Sequence, residues 1–134
     1  MALQHLPLAV CLIDSRQVEI DQAISGIPTK LTPLPEADIR HAPPGSAYVI
    51  LTHDHSLDFQ LTAEALKRRD ASYVGMIGSK TKRAAFMHWA KKIDKNLNTK
   101  ALTCPIGTTP VANKAPAVIA AFVATELLTA LSIQ

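Results

Sequence analysis

Runs of apolar residues that end abruptly at polar ones recur along the chain, and the clearest lies at 47–58, with the sequence AYVILTHDHSLD. Five apolar residues lead into a polar group, and a helix-forming run follows. This is the pattern of a buried parallel strand that delivers side chains into a crevice. Residues 73–77 and 102–104 have the same strand character, and 8–13 is a further short apolar run. The chain therefore predicts an α/β fold.

Other apolar positions follow the spacing of helices. Residues 57–69 carry apolar side chains at 57, 61, 65 and 66, which is one face of a helix. Residues 118–131 are apolar on nearly every side, so we expect this helix to be covered on more than one side, by the sheet layer or by an oligomer interface. A further stripe, expected to face inward, consists of Phe86, Trp89, Ala90 and Ile93.

The first third of the chain is less regular. Residues 17–46 contain seven prolines and glycines and predict loops, with a short strand near 29–34 and one helical turn near 36–40. Residues 1–6 have the character of the last turn of a helix, which Pro7 closes. With 134 residues the chain has the length of one domain, so we treat 1–134 as a single unit.

Charge is divided unevenly along the chain. Residues 1–58 carry three basic and seven acidic side chains, whereas residues 59–100 carry ten basic and three acidic ones. The second part predicts a positive face for an anionic small molecule, a phosphate or an acidic partner protein. Nucleic acid is poorly supported, because the basic residues are not interleaved with aromatic ones.

The cysteines and the longest apolar run indicate where the protein works. Cys11 and Cys104 lie far apart, without metal-binding spacing and without a preceding signal peptide, so we expect reduced thiols in the cytoplasm. Residues 115–131 contain Glu126 and fall short of a membrane span, so no membrane association is expected.

The polar group after the clearest strand is the first candidate site. Thr52, His53, Asp54 and His55 stand at the predicted carboxyl end of the strand, where open α/β sheets bind ligands. Two imidazoles beside a carboxylate also permit a transition-metal site or acid–base chemistry. Neighbouring strand residues point to opposite faces, and neither a third ligand nor a paired nucleophile is recognisable. Polar groups that bind a nucleotide-like ligand are the favoured interpretation.

A second candidate group follows the next strand. Gly75 and Gly78 allow a close backbone turn, Ser79 can cap the following helix, and Lys80 begins a basic first turn that also holds Lys82 and Arg83. Cations at the amino end of a helix oppose its dipole, so this arrangement indicates either a bound anion or a solvated basic helix start.

Two further residues leave alternatives open. Asp14 follows residues 8–13, where it is either a carboxylate that binds a ribose hydroxyl or a solvated strand-end residue. Cys104 lies at the mouth of the last strand and is either a thiol that nearby cations ionise more readily, able to ligate molybdenum or carry sulfur, or a buried inert cysteine. Cys11, inside an apolar run, is expected to pack in the core.

Four segments together resemble one family, the XdhC/CoxI accessory proteins of xanthine dehydrogenase maturation. They are LIDSR at 12–16, VILTHDHSLD at 49–58, YVGMIGSKTKR at 73–83, and CPIG with KAPAVIAA at 104–107 and 114–121. The order and spacing of the segments carry the resemblance, which covers essentially the whole chain. It implies a Rossmann-like parallel sheet flanked by helices.

The resemblance also implies a function. A protein of this family binds the molybdenum cofactor (molybdopterin), protects it, assists its sulfuration by a cysteine desulfurase and passes it to apo-xanthine dehydrogenase. Such a protein is a carrier and not a catalyst of turnover. The residues above would then line the cofactor crevice, with Cys104 near the metal or its sulfur and without a resident metal site.

One part of the family pattern is not found in this sequence. The family has a strand and a glycine-rich GAGH-type turn before the helix whose tail corresponds to residues 2–6. We therefore expect a sheet that is incomplete at its N-terminal strand, closed by a shift of the first strand or by pairing with another chain as a homo-oligomer. Without the glycine turn, the alternatives are a nucleotide-binding oxidoreductase-like domain that has lost its pyrophosphate cradle, or a non-catalytic interaction fragment.

Overall fold

The computed structural model describes residue 3 and residues 6–21, 27–108 and 115–132. Within these residues, the five strands are β1 (Leu12–Asp14), β2 (Thr29–Leu31), β3 (Ala47–Ile50), β4 (Tyr73–Met76) and β5 (Leu102–Thr103). The five helices are α1 (Gln17–Asp21), α2 (Pro35–His41), α3 (His55–Arg68), α4 (Lys80–Ile93) and α5 (Pro116–Ser132), and a 3-10 turn at Thr99–Ala101 precedes β5. Strands alternate with helices, as the sequence predicts.

All strand pairs are parallel, which confirms the predicted α/β fold. β1 pairs with β2, while the second sheet has the order β3-β4-β5. In the second sheet Ile50 lies opposite Met76, and the N–H of Ile77 donates to the carbonyl oxygen of Ile50 at 2.9 Å. The segments that follow β3 and β4 therefore leave the sheet side by side.

No ladder joins the two sheets within the described residues. The first strand has thus not shifted to lie beside β3. Of the two expected ways of closing the sheet, a shift of the first strand is therefore wrong within the described residues. Pairing with another chain stays a prediction. β1 and β2 are also short, with three residues each, and in the described structure α1 contacts both.

The β3-β4-β5 sheet has a hydrophobic core on each face, because successive strand residues point to opposite sides. Tyr48 and Ile50 face a core that α3 and α4 complete, where Phe59 and Phe86 meet edge to face at 5.4 Å. Ala47 and Val49 lie beside the second core, which α5 covers with Val123 and Leu127. The result is a sheet flanked by helices on both faces.

Two predictions about packing are corrected. Ile93 does not belong to the inward stripe, since it is 57% exposed near the end of α4, whereas Phe86 and Ala90 are buried. Cys11 is exposed, because β1 begins at Leu12 and the chain before it is not a strand in the described structure. The predicted helix tail at 1–6 falls mostly outside the described residues.

α5 is less enclosed than its composition predicts. Val123, Ala124 and Leu127 are buried against the sheet, but Ala121 and Thr125 are exposed. Within the described residues of the single chain, α5 is therefore covered on one side, and further cover by an oligomer interface stays a prediction.

Candidate functional site

Three chain segments meet at the carboxyl edge of the β3-β4-β5 sheet. Residues 51–54 follow β3, residues 77–79 follow β4, and Cys104 follows β5 directly. Parallel strands bring their carboxyl ends to one edge, where open α/β sheets bind ligands. The sequence-predicted residues after β3, β4 and β5 therefore lie at one edge, which we call the carboxyl edge.

The polar residues after β3 have mainly structural contacts. Asp54 is the N-cap of α3, and its carboxylate accepts from the N–H groups of Ser56 at 2.7 Å and Leu57 at 3.3 Å. The Thr52 hydroxyl donates to the Asp54 carbonyl oxygen at 2.9 Å and accepts from the Asp54 N–H at 3.1 Å. These bonds explain why the strand stops here and a helix begins.

The two histidines remain available for contacts with a ligand. His53 and His55 are exposed, and His55 opens α3. Within the described part of the chain, no group of three or more His, Cys, Asp or Glu side chains is arranged to hold a metal ion. The histidines can therefore serve as hydrogen-bonding groups for a ligand, whereas the described structure provides no chelating set.

A buried ion pair that the sequence analysis missed lies directly below this edge. Asp58 is 0% exposed, and its carboxylate accepts from the Thr52 N–H at 2.8 Å and from Nζ of Lys82 at 2.6 Å. Lys82 also donates to the carbonyl oxygen of Ile77 at 2.8 Å. The pair ties the segment after β3 to the segment after β4. The sequence does contain a sign of this buried pair, because the carboxylate at 58 lies on the same helix face as the apolar residues at 61 and 65.

The glycines near β4 make room for side chains of the protein itself. A Cβ at Gly78 would lie 2.5 Å from Cδ of Lys82, so the glycine opens the path of Lys82 to Asp58. A Cβ at Gly75 would lie 2.5 Å from the Tyr73 ring and 2.6 Å from Cγ2 of Ile106. Both glycines therefore have a packing explanation that is independent of a ligand.

Three cations at the amino end of α4 were predicted either to bind an anion or to be solvated. Two of them instead contact groups of the protein. Ser79 caps the helix as expected, accepting from the Lys82 N–H at 3.2 Å. Lys82 is turned to Asp58, and Arg83 donates to the carbonyl oxygens of Leu102 at 3.0 Å and Cys104 at 3.2 Å. These two cations have internal partners and need no bound anion. Lys80 is exposed at the first position of the helix.

Cys104 is held inside the protein beside this helix start. The thiol is buried, and its Sγ lies 3.9 Å from the carbonyl oxygen of Ser79. Burial raises the pKa of the Cys104 thiol, and the charges of Lys82 and Arg83 offset only part of that rise. Of the two interpretations of Cys104, the buried and poorly reactive cysteine agrees better with the structure than the readily ionised thiol.

Comparison with known proteins decides the family. A family model described as the XdhC Rossmann domain matches residues 1–127. The chain belongs to this family. No curated protein matches the sequence. The resemblance that the four segments indicated is thus confirmed over nearly the whole length of this chain.

Asp14 occupies the position at the end of β1 that was considered for ribose binding. In this XdhC Rossmann domain its carboxylate accepts from the backbone N–H of Arg16 at 2.9 Å and from the Arg16 guanidinium at 3.2 Å. Partial burial opposes ionisation, but the hydrogen bonds and charge of Arg16 outweigh it and lower the pKa of Asp14. Asp14 is thus paired within its own turn.

The carboxyl edge is an open surface with two apolar residues on it. Leu51 is 55% exposed and Ile77 is 42% exposed, and they follow β3 and β4 at neighbouring positions. Two cavities of the described structure lie elsewhere, one of about 210 Å³ beside Ser72 and one of about 410 Å³ beside α5.

None of the described helices of the XdhC domain is long and apolar enough to cross a membrane.

Proposed function

We propose that this XdhC Rossmann domain is a cytoplasmic carrier that binds the molybdenum cofactor at its carboxyl edge. It holds the cofactor during sulfuration by a cysteine desulfurase and passes it to an apo-dehydrogenase of the xanthine dehydrogenase type. It acts as an accessory protein rather than as a turnover enzyme. The observation that carries the proposal is the unequal charge at the amino ends of the two helices that start at this edge.

The amino end of α4 suits a phosphate, and that of α3 does not. A helix start attracts anions through its free N–H groups and its dipole. At α3 the carboxylate of Asp54 already occupies this position. At α4 the cap is the neutral Ser79, the first turn has no acidic residue, and Lys80 adds a positive charge. The phosphate of molybdopterin is therefore assigned to Ser79 and Lys80.

The residues at the edge fit the cofactor in part. His53 and His55 are exposed and can hydrogen-bond polar atoms of a pterin, whereas Asp54 is committed to its cap and Cys104 is buried beneath the surface. When bound, the cofactor supplies the metal and sulfur chemistry that the dehydrogenase uses. The residues of this chain bind and orient it through the phosphate and the pterin.

The exposed apolar pair at the same edge fits the role of a carrier. An open site leaves one side of a bound cofactor to water, and Leu51 and Ile77 give a partner protein an apolar surface on which to dock. Docking of the dehydrogenase or desulfurase would exclude water from the cofactor during transfer. An enclosed site would have to open first.

Binding of isolated molybdopterin, followed by its pterin fluorescence, tests the proposal. Lys80→Ala should weaken binding by about tenfold, the effect expected for one charge-assisted contact. Lys92→Ala removes the same charge from the exposed last turn of α4 and should leave binding unchanged. His53→Ala should also weaken binding.

Removing the phosphate from the ligand provides the matching control. A dephosphorylated pterin should bind the wild type and Lys80→Ala equally, because Lys80 no longer has a partner. Failure of the wild type to bind molybdopterin would overturn the carrier function. Equal affinities of Lys80→Ala and Lys92→Ala would overturn the assignment of the phosphate to α4.

A further inference from the structure

α5 carries one charged side chain, Glu126, in a helix that is otherwise apolar or hydroxylated. The side chain is half-buried on the side of the sheet opposite to Cys104. Its carboxylate accepts from the Tyr73 hydroxyl at 3.1 Å and from the Gly107 N–H, which lies 3.1 Å from both carboxylate oxygens. Partial burial of a carboxylate is unfavourable unless hydrogen bonds replace its contacts with water. The donors around Glu126 supply such hydrogen bonds.

Two glycines build the surroundings of Glu126. Gly75 leaves space for Tyr73, whose hydroxyl lies 2.5 Å from where a Cβ at Gly75 would stand. Gly107 has a φ of +65°, and a Cβ there would lie 2.8 Å from the carbonyl oxygen of Ile119. One glycine thus positions the hydroxyl donor, and the other brings a backbone N–H close to α5. The position of Glu126 is fixed from both sides.

The carboxylate lines a groove of about 410 Å³ between α5 and the end of β5. The groove is shallow and open to solvent, with room for part of a small organic molecule. Among the described residues, apolar parts of the wall come from Phe122 and Ala130, and polar parts come from hydroxyl groups and Glu126. The groove is separate from the carboxyl edge residues His53 and Lys80, which do not line it.

The hydroxyl groups of the groove mostly donate back into the protein. Thr108 donates to the Pro105 carbonyl oxygen at 3.1 Å, and on α5 Thr125 donates to Ala121 at 3.0 Å and Thr129 donates to Thr125 at 2.8 Å. Tyr73 donates to Glu126. The lone pairs of these oxygens remain, so the polar part of the groove presents acceptors.

Charge decides what such a groove can bind. Glu126 forms no ion pair with a basic side chain among the described residues, and both of its protein donors are neutral. A carboxylate accepts about four hydrogen bonds when fully satisfied. We propose that this groove binds a small aliphatic amine as its ammonium ion, which donates to Glu126 and to the threonine oxygens while its alkyl chain lies against Phe122 and Ala130.

A series of three compounds of equal size tests the proposal on the ¹⁵N-labelled full chain. Butylammonium, butanol and butyrate differ in charge, and the amide resonance of Gly107 reports contact because this N–H bonds Glu126. We expect a saturable shift of the Gly107 resonance with butylammonium and no saturable shift with the other two. Equal shifts with butylammonium and butanol would overturn the proposal.

Variants separate binding from folding. Glu126→Gln should weaken butylammonium binding at least about tenfold, whereas Glu36→Gln, which removes a carboxylate from the first turn of α2, should not change it. Thr129→Val removes an acceptor from an exposed position and should weaken binding severalfold even if Glu126→Gln does not fold. Unchanged affinity in Thr129→Val and in folded Glu126→Gln would refute the assignment. None of these readouts involves molybdopterin, so they are independent of the proposed carrier function.

Discussion

Nζ of Lys82 lies 2.6 Å from Oδ2 of Asp58, and both side chains are almost completely removed from water. The pair joins α4 to α3, and through Thr52 and Ile77 it fixes the chain after β3 and after β4. A buried ion pair contributes little net stability compared with apolar residues, because both charges lose their hydration. Its value here is geometric, since it sets the distance between the two segments that form the candidate site.

Removing one member of this pair should destabilise the fold strongly. Lys82→Met leaves the Asp58 carboxylate buried without its cation, and Asp58→Asn leaves the ammonium group of Lys82 without its anion. Each variant should lower the free energy of unfolding by about 3 to 5 kcal/mol. Urea denaturation measures the change, and Lys91→Met, on the exposed part of α4, provides the control.

The double variant identifies the cause of the loss. If the cost comes from an unpaired buried charge, Asp58→Asn with Lys82→Met should lose at least about 1 kcal/mol less than the sum of the single variants. Strictly additive losses would mean that the two side chains stabilise the fold independently, contrary to the geometry.

The two thiols should react at very different rates. Cys11 is exposed, whereas Cys104 is buried and burial raises the pKa of its thiol. Because the thiolate is the reactive form, iodoacetamide at pH 8 should modify Cys11 at least about tenfold faster than Cys104. Intact-mass spectrometry with peptide mapping measures both rates, and in urea the rates should become similar. Faster modification of Cys104 in the folded chain would instead support a reactive thiol at the carboxyl edge.

Stability should decline at high pH through Tyr73. Burial, together with the charge and hydrogen bond of Glu126, raises the pKa of Tyr73 well above its ordinary value near 10. Above pH 10 the unfolded chain loses this proton while the folded chain keeps it. Since the unfolded state then binds fewer protons, the free energy of unfolding falls as pH rises.

Tyr73→Phe removes this titration and so isolates it. The stability advantage of wild type over Tyr73→Phe should be constant below about pH 9 and shrink above pH 10 by up to about 1.4 kcal/mol per pH unit. Urea denaturation of both proteins across this range measures the difference, in which the common titration of lysines cancels. An advantage that stays constant to pH 11 would contradict the assignment.

The cap of α3 should be replaceable by a neutral residue. Asp54→Ala removes the acceptor for two N–H groups and should lower the free energy of unfolding by about 1 kcal/mol, whereas Asp54→Ser should recover most of this loss. Thermal unfolding followed by circular dichroism compares the variants. A loss that serine does not reduce would show that Asp54 stabilises the fold through something other than capping.

The sequence predicted the elements better than the contacts between them. The end of β3, the Ser79 cap and a helix over 118–131 follow from local patterns, and the structure agrees with them. The partner of Lys82 does not follow from such patterns, because Asp58 is 24 residues away and the two meet only after α3 and α4 pack on one face of the sheet.

Exposure was the other property that local patterns did not settle. Ile93 continues the spacing of an inward stripe but is the exposed last residue of α4, and Cys11 precedes a strand that begins one residue later. The hydrogen bonds of Glu126 to Gly107 and Tyr73 bring together three distant parts of the chain. Patterns report periodicity, whereas burial depends on where neighbouring elements end.

The different caps of α3 and α4 also make the two ends of the carboxyl edge electrostatically unequal. Asp54 repels an anion at one helix start, and Ser79 with Lys80 attracts one at the other. An elongated ligand with a single anionic end can therefore lie across the edge in one of its two orientations only. If the phosphate lies at α4, the opposite end of the ligand points toward the histidines before α3, and a docking partner meets every bound molecule with the same end forward.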